Sequence, residues 1–179
     1  MKGLVFVELM DFIERHAGEE FLEDLLSDLE LSSGGAYTAV GNYPHTEAVE
    51  MVLESGRRLD AAPPALMRTF GKELLRRFVE LYPIFFRDVH STRDFLRGIE
   101  SHIHTEVRKL YPDANPPSFI VAETEQTFSL DYESHRPMAS LALGLIEESI
   151  VYFNEPLTVR SEPAELTYET KARFFIEPA

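Results

Sequence analysis

Tyr132, Ser134 and Arg136, at alternate positions of the run YESHR, offer a hydroxyphenyl, a hydroxyl and a guanidinium. Successive side chains of a strand point to opposite faces, so these three would share one face, continuing the apolar face of Phe128 and Leu130. A guanidinium grips a carboxylate through two parallel hydrogen bonds, and two hydroxyls can fill the carboxylate's remaining acceptor sites. The chemistry is capture of an anionic ligand, and haem, with its two propionates, is one such ligand. Polar residues at the fraying end of a strand show the same spacing.

A second chemical group lies upstream, where HIHTEVRKLYPDANPPSF carries His102 and His104 into a rigid Pro116-Pro117 turn. Leu96, Ile99, Ile103, Val107 and Leu110 follow helical spacing and predict a buried stripe, with His104 on one edge and His102 on the other. Two positions apart on a helix, the imidazoles point roughly 200° from each other, so they cannot chelate one ion together. Either is a possible single ligand, and a lone histidine at a stripe edge also serves as an ordinary structural residue.

The elements that must position these groups follow from periodicity and breakers. Helices are predicted over 4–16, 19–29, 46–59, 64–81 and 92–111, with Ala17-Gly18 as the first break and Asp60 with two prolines at the start of the fourth. Ser91 or Thr92 is the expected N-cap of the histidine helix and Pro112 its stop. Ser32-Ser33-Gly34-Gly35 reads as a turn, lacking the lysine of a phosphate-binding loop. Strands are predicted over 118–123, 127–134, 157–161 and 166–176, with a helix over 138–153 between the second and third. In the last strand Leu166, Tyr168, Thr170, Ala172 and Phe174 alternate onto one face. Helices first and antiparallel strands later predict an α+β fold, a single domain over 1–179 with no repeat and no dividing linker.

Composition narrows the function. With 179 residues and 44% hydrophobic content the chain can bury a sizeable core, and it is too short for a sensor carrying its own kinase or cyclase module. A net charge of −14, from 17 basic against 31 acidic residues, argues against binding a phosphate backbone, so nucleic acid is not an expected partner. No apolar run is long enough to span a bilayer and no signal-peptide pattern opens the chain, so no membrane partner is expected and the cytoplasm is the expected location. The absence of cysteine excludes disulfides, thiolate haem ligation and cysteine-ligated clusters or zinc. No GxSxG, HExxH or GxGxxG motif is present, which argues against an enzyme. The pairs Glu19-Glu20, Glu23-Asp24 and Glu147-Glu148 read as solvated helix faces, and His16, His45, His90 and His135 as exposed residues.

Together, the Tyr132-x-Ser134-x-Arg136 motif, the histidine helix before it, the opening Met1-Lys2-Gly3 and the order of elements closely resemble the H-NOX family. These are haem nitric oxide/oxygen-binding domains of bacterial gas sensors and of soluble guanylate cyclase, and the resemblance covers essentially the whole chain. It implies an N-terminal helical subdomain and a C-terminal subdomain with antiparallel sheet and helices, with haem b (iron protoporphyrin IX) buried between them. It places the proximal iron ligand on His104, the haem-distorting proline on Pro117, and the propionate contacts on Tyr132, Ser134 and Arg136.

The resemblance also assigns a distal pocket to Val5, Leu9, Leu74, Phe78, Leu141 and Leu145. Oxygen-binding relatives place a donor tyrosine at the position of Leu141 and polar or indole groups at those of Leu74 and Leu9; all three are leucine here. Without a donor for the partial negative charge of bound O2, NO and, more weakly, CO are the implied ligands. Without the resemblance, these six apolar residues at helical spacing read as ordinary core. Stand-alone relatives act on a separate histidine kinase or a cyclic-di-GMP enzyme, which makes such an effector the implied partner. A haem-free or redox-responsive interaction module of the same fold is the alternative.

Overall fold

The computed structural model describes residues 1–124 and 127–179. It is an α+β architecture whose chain divides into two compact units, Met1–Leu66 and Met67–Ala179. The first unit holds α1 (Gly3–Ala17), α2 (Glu19–Asp28) and α3 (His45–Leu59), which pack pairwise. Their apolar faces meet through Phe6, Phe12, Leu25 and Met51, all nearly inaccessible to solvent. Gly3 is required at the start of α1, because a Cβ there would run into the Thr38 carbonyl oxygen where 38–43 folds back on the N-terminus. The residues just before it are pinned by stacking of Tyr37 on Phe6, with centroids 4.4 Å apart, and by the buried Glu47 carboxylate. Glu47 accepts from the Ser33 hydroxyl at 2.7 Å, the Ser33 amide at 3.1 Å, the Tyr37 hydroxyl at 2.6 Å and the Ser32 hydroxyl.

The helix α4 (Pro63–Leu81) leads into the second unit. Asp60, expected at its start, instead closes α3 in the left-handed region at φ 49°. A short 3-10 turn at Pro83–Phe85 precedes α5 (Thr92–Gly98), capped by the Ser91 hydroxyl, which accepts from the Asp94 amide at 3.1 Å. The predicted single helix over 92–111 is interrupted: a π turn at Ile99–Ile103 separates α5 from α6 (His104–Leu110). The expected buried stripe breaks there, because a π turn shifts the phase of every later side chain. Leu96 is buried, Ile99, Ile103 and Val107 are half-buried, and Leu110 is 66% exposed.

The sheet runs in the order β1-β2-β4-β3, every pair antiparallel, from β1 (Ser118–Glu123), β2 (Phe128–Glu133), β3 (Leu157–Glu162) and β4 (Lys171–Pro178). One face buries Phe128, Leu130 and Tyr132 of β2 with Ala172, Phe174 and Ile176 of β4. Against this core lies α7 (Ala139–Phe153), whose apolar surface extends most of the way round, as an internal helix requires. The last strand begins later than its alternation predicted: Thr167 turns its amide and hydroxyl onto the Glu169 carboxylate, a local bond that takes the place of a ladder bond.

The backbones of α4 and α7 cross in contact at Gly71 and Gly144, where a Cβ on Gly144 would meet the Arg68 carbonyl oxygen. Glu147 and Glu148 correct the solvated-face reading. Glu147 pairs with Arg68 and Lys72, and Glu148, only 5% exposed, takes the Arg76 guanidinium at 2.6 and 2.9 Å. The close crossing brings the acids of α7 against the bases of α4, and paired carboxylates tolerate burial that single ones do not.

Candidate functional site

His104 opens α6 directly after the π turn, and its amide closes that turn on the Ile99 carbonyl. Its side chain is 13% exposed, and Nδ1 lies 3.1 Å from Glu100 Oε2. Burial pushes the imidazole below its usual pKa, and Glu100 opposes that shift. A neutral imidazole with Nδ1 as the donor leaves Nε2 with a lone pair free to bind a metal. His102, in contrast, is exposed, its ring edge-on to Phe85 with centroids 5.8 Å apart. The structure therefore separates two histidines that periodicity placed on equivalent edges.

The Phe119 ring stands between His104 and Tyr132, 5.9 Å from the first and 5.4 Å from the second. It is placed there by β1, whose Phe119 pairs directly with Tyr132 of β2. Pro117 is half-buried and immediately precedes β1. Tyr132 is 4% exposed; burial raises its phenol pKa, opposed by the hydrogen bond with Ser134 and by Arg136.

Ser134 and Arg136 correct the shared-face argument, since β2 ends at Glu133 and both lie in the bend beyond it. They still meet Tyr132, because the chain turns: the Ser134 amide donates to the Thr170 carbonyl at 2.8 Å, and the Ser134 hydroxyl accepts from the Arg136 amide at 3.0 Å. The half-buried Arg136 guanidinium donates Nη1 to the Asn115 carbonyl at 2.7 Å, while its Nε is buried with no hydrogen-bond partner. Burial lowers its pKa, and Tyr132 opposes that shift. An unsatisfied buried guanidinium donor beside two hydroxyls has the chemistry to take an anionic acceptor.

The six apolar candidates fall into three i,i+4 pairs, each lining one helix face: Val5 and Leu9 on α1, Leu74 and Phe78 on α4, Leu141 and Leu145 on α7. Leu9 and Leu74 are buried and the other four half-buried. None of the six carries a side-chain hydrogen-bond donor. Among the remaining histidines, His16, His90 and His135 are exposed as expected, whereas His45 is half-buried at the start of α3.

Comparison with known proteins gives these features a family. A family model described as haem-NO-binding matches residues 2–161. The chain belongs to the H-NOX family. It is 30% identical to the unliganded Fe(II) H-NOX protein of K. algicida, with TM-score 0.91, covering 100% of this chain and 97% of that one. An H-NOX protein of Shewanella woodyi, solved in its Fe(II)CO state, is 38% identical with TM-score 0.83, covering 100% and 95%. The S. oneidensis H-NOX in its Fe(II)NO state, 22% identical with TM-score 0.90 and covering 100% and 99%, shares the fold. A search of curated proteins finds no match. The chain is thus a member of a family of haem-based gas sensors, mixed α+β like its relatives.

The residues present fit a haem. No group of three or more His, Cys, Asp or Glu able to hold a bare metal ion exists among the described residues. A porphyrin brings four nitrogen donors of its own and asks the protein for one axial ligand, which His104 can supply through Nε2. Its propionates would be acceptors of the kind that Arg136 Nε lacks. Sequence reasoning missed Glu100, Arg108, Phe119 and Asn115. Glu100, His104 and Arg108 recur every fourth position, a pattern visible in the sequence once the polar face of the helix is followed.

Proposed function

We propose that this chain is a single haem-binding domain that senses NO, and CO more weakly, in preference to O2, and signals to a separate effector. The observation that carries the reading is the buried Arg136 donor without a partner, set beside Tyr132 and Ser134 and joined through Phe119 to a histidine whose Nδ1 is already engaged. When bound, haem b would supply a ferrous centre able to take a diatomic gas. His104 holds the protein side through Nε2. Arg136, Tyr132 and Ser134 bind and orient the propionates, and Pro117 presses on the macrocycle.

Leu74, Phe78, Leu141 and Leu145 present apolar surface that offers no donor. O2 needs a donor to stabilise its partial negative charge, whereas NO binds through the metal bond itself, so such a lining favours NO. NO on the bound haem would loosen its hold on His104, and release of His104 would free α6 and its π turn to shift, a latch whose state an effector can read. A histidine kinase or a cyclic-di-GMP enzyme in the cytoplasm is the proposed effector, and the chain itself is not an enzyme. Among the described residues no helix is long and apolar enough to cross a membrane.

The test is absorption spectroscopy of the haem-loaded, reduced protein under argon, NO and air. His104→Gly should bind haem only with added imidazole, while His102→Gly should behave as the parent. An NO-saturated sample that keeps its iron–histidine bond would sink the latch. Protein that takes up no haem would instead support a haem-free interaction module.

A further inference from the structure

Glu100 and Arg108 belong to no contact that the haem itself requires, yet they converge on the proposed ligand. Glu100 lies inside the π turn, and its backbone carbonyl accepts from the Thr105 hydroxyl at 3.2 Å, which helps to hold the widened turn. One carboxylate oxygen, Oε2, is 3.1 Å from His104 Nδ1, and the other, Oε1, accepts from Arg108 Nη2 at 2.7 Å. Paired with the Arg108 guanidinium, the group facing Nδ1 is a carboxylate anion.

We propose that Glu100 is the positioning residue for His104, fixing its Nδ1–H tautomer and pushing electron density toward Nε2, with Arg108 moderating that push by sharing the carboxylate. The inference rests on the reading of His104 as the iron ligand. A carboxylate behind a ligating histidine fixes the ring's tautomer and orientation and raises its basicity, so it strengthens the bond at the far nitrogen. A cation on the same carboxylate withdraws part of that charge. Glu100 and Arg108 thus act in opposite senses on one bond, and their balance sets how readily a gas on the other side releases it.

Four variants and two readouts test this. In haem-free protein, nitrogen NMR of His104 should show the Nδ1–H tautomer, and Glu100→Ala should convert it to the Nε2–H tautomer favoured by free imidazole. In haem-loaded ferrous protein, the iron–histidine stretching band in resonance Raman should move to lower frequency in Glu100→Ala. It should move less far in Glu100→Gln, which keeps a neutral acceptor, and to higher frequency in Arg108→Ala. Equal bands in the parent, Glu100→Gln and Arg108→Ala would overturn the proposal, even if Glu100→Ala lost helix content or failed to load. An unchanged tautomer in Glu100→Ala would overturn it as well. His104→Gly separates the two layers of argument: if its iron–histidine band survives, the ligand assignment fails, whereas loss of that band with no shift in the other variants refutes the Glu100 role alone.

Discussion

Arg136→Ala should weaken haem retention while leaving the haem-free fold almost as stable as before. In the structure Nη1 is already committed to the Asn115 carbonyl at 2.7 Å, and Nε is buried without a partner. A propionate that satisfies Nε gains a charge-assisted hydrogen bond of about 1.5–3 kcal/mol, with the lower end favoured because the side chain is only half-buried. Losing it corresponds to roughly a ten- to 150-fold weaker haem complex. The folding balance differs. Truncation removes the Asn115 bond, about 0.5–1.5 kcal/mol, but it also removes a desolvated donor whose unmade bond costs about 1–3 kcal/mol. Haem-free stability should therefore change little. Haem transfer to excess apomyoglobin measures the first quantity and thermal melting of haem-free protein the second. Arg136→Lys should fall between, since an ammonium keeps the charge and lacks the planar fork. A variant that melts several degrees lower without haem, yet loses haem at the parent rate, would refute the reasoning and make Arg136 a structural residue.

Glu47→Gln should destabilise the first unit by about 1–3 kcal/mol, because an amide cannot accept from all four donors now aimed at the carboxylate. Desolvation opposes ionisation of Glu47, but those hydrogen bonds prevail and bring its pKa from 4.5 down to about 2. Its contribution is complete above pH 4.5 and fades as pH falls toward 2, so urea melts across that window should be flatter in the variant than in the parent. Gly144→Ala should lower the melting temperature, with a cost of about 1–3 kcal/mol or more, as its methyl group meets the Arg68 carbonyl and parts α4 from α7. Leu141→Tyr should give the distal side a donor and let the reduced, haem-loaded protein hold O2 in air; an unchanged spectrum in air would show that the apolar lining is not what excludes O2.

The type and order of the elements were legible because each rests on local physics. Apolar residues at helical spacing gave α1 to α4 and α7 to within a residue or two, Ser91 capped the histidine helix as its type requires, and alternation marked the four strands. The residues for the proposed site were also present as types: a histidine, two hydroxyls, a guanidinium and three apolar pairs. Tertiary structure decided the rest, for reasons no local rule contains. A π turn shifted the phase of the helix, so Leu110 became exposed although periodicity would bury it. A bend after Glu133, held by Thr170, brought Ser134 and Arg136 to Tyr132 without a strand to align them. The crossing of α4 and α7 at two glycines turned Glu147 and Glu148 from a solvated face into interhelical ion pairs. Local spacing fixes which direction a side chain leaves its own element. What it meets there depends on where a distant segment is packed: β1 sets Phe119 beside His104, and the 3-10 turn sets Phe85 beside His102.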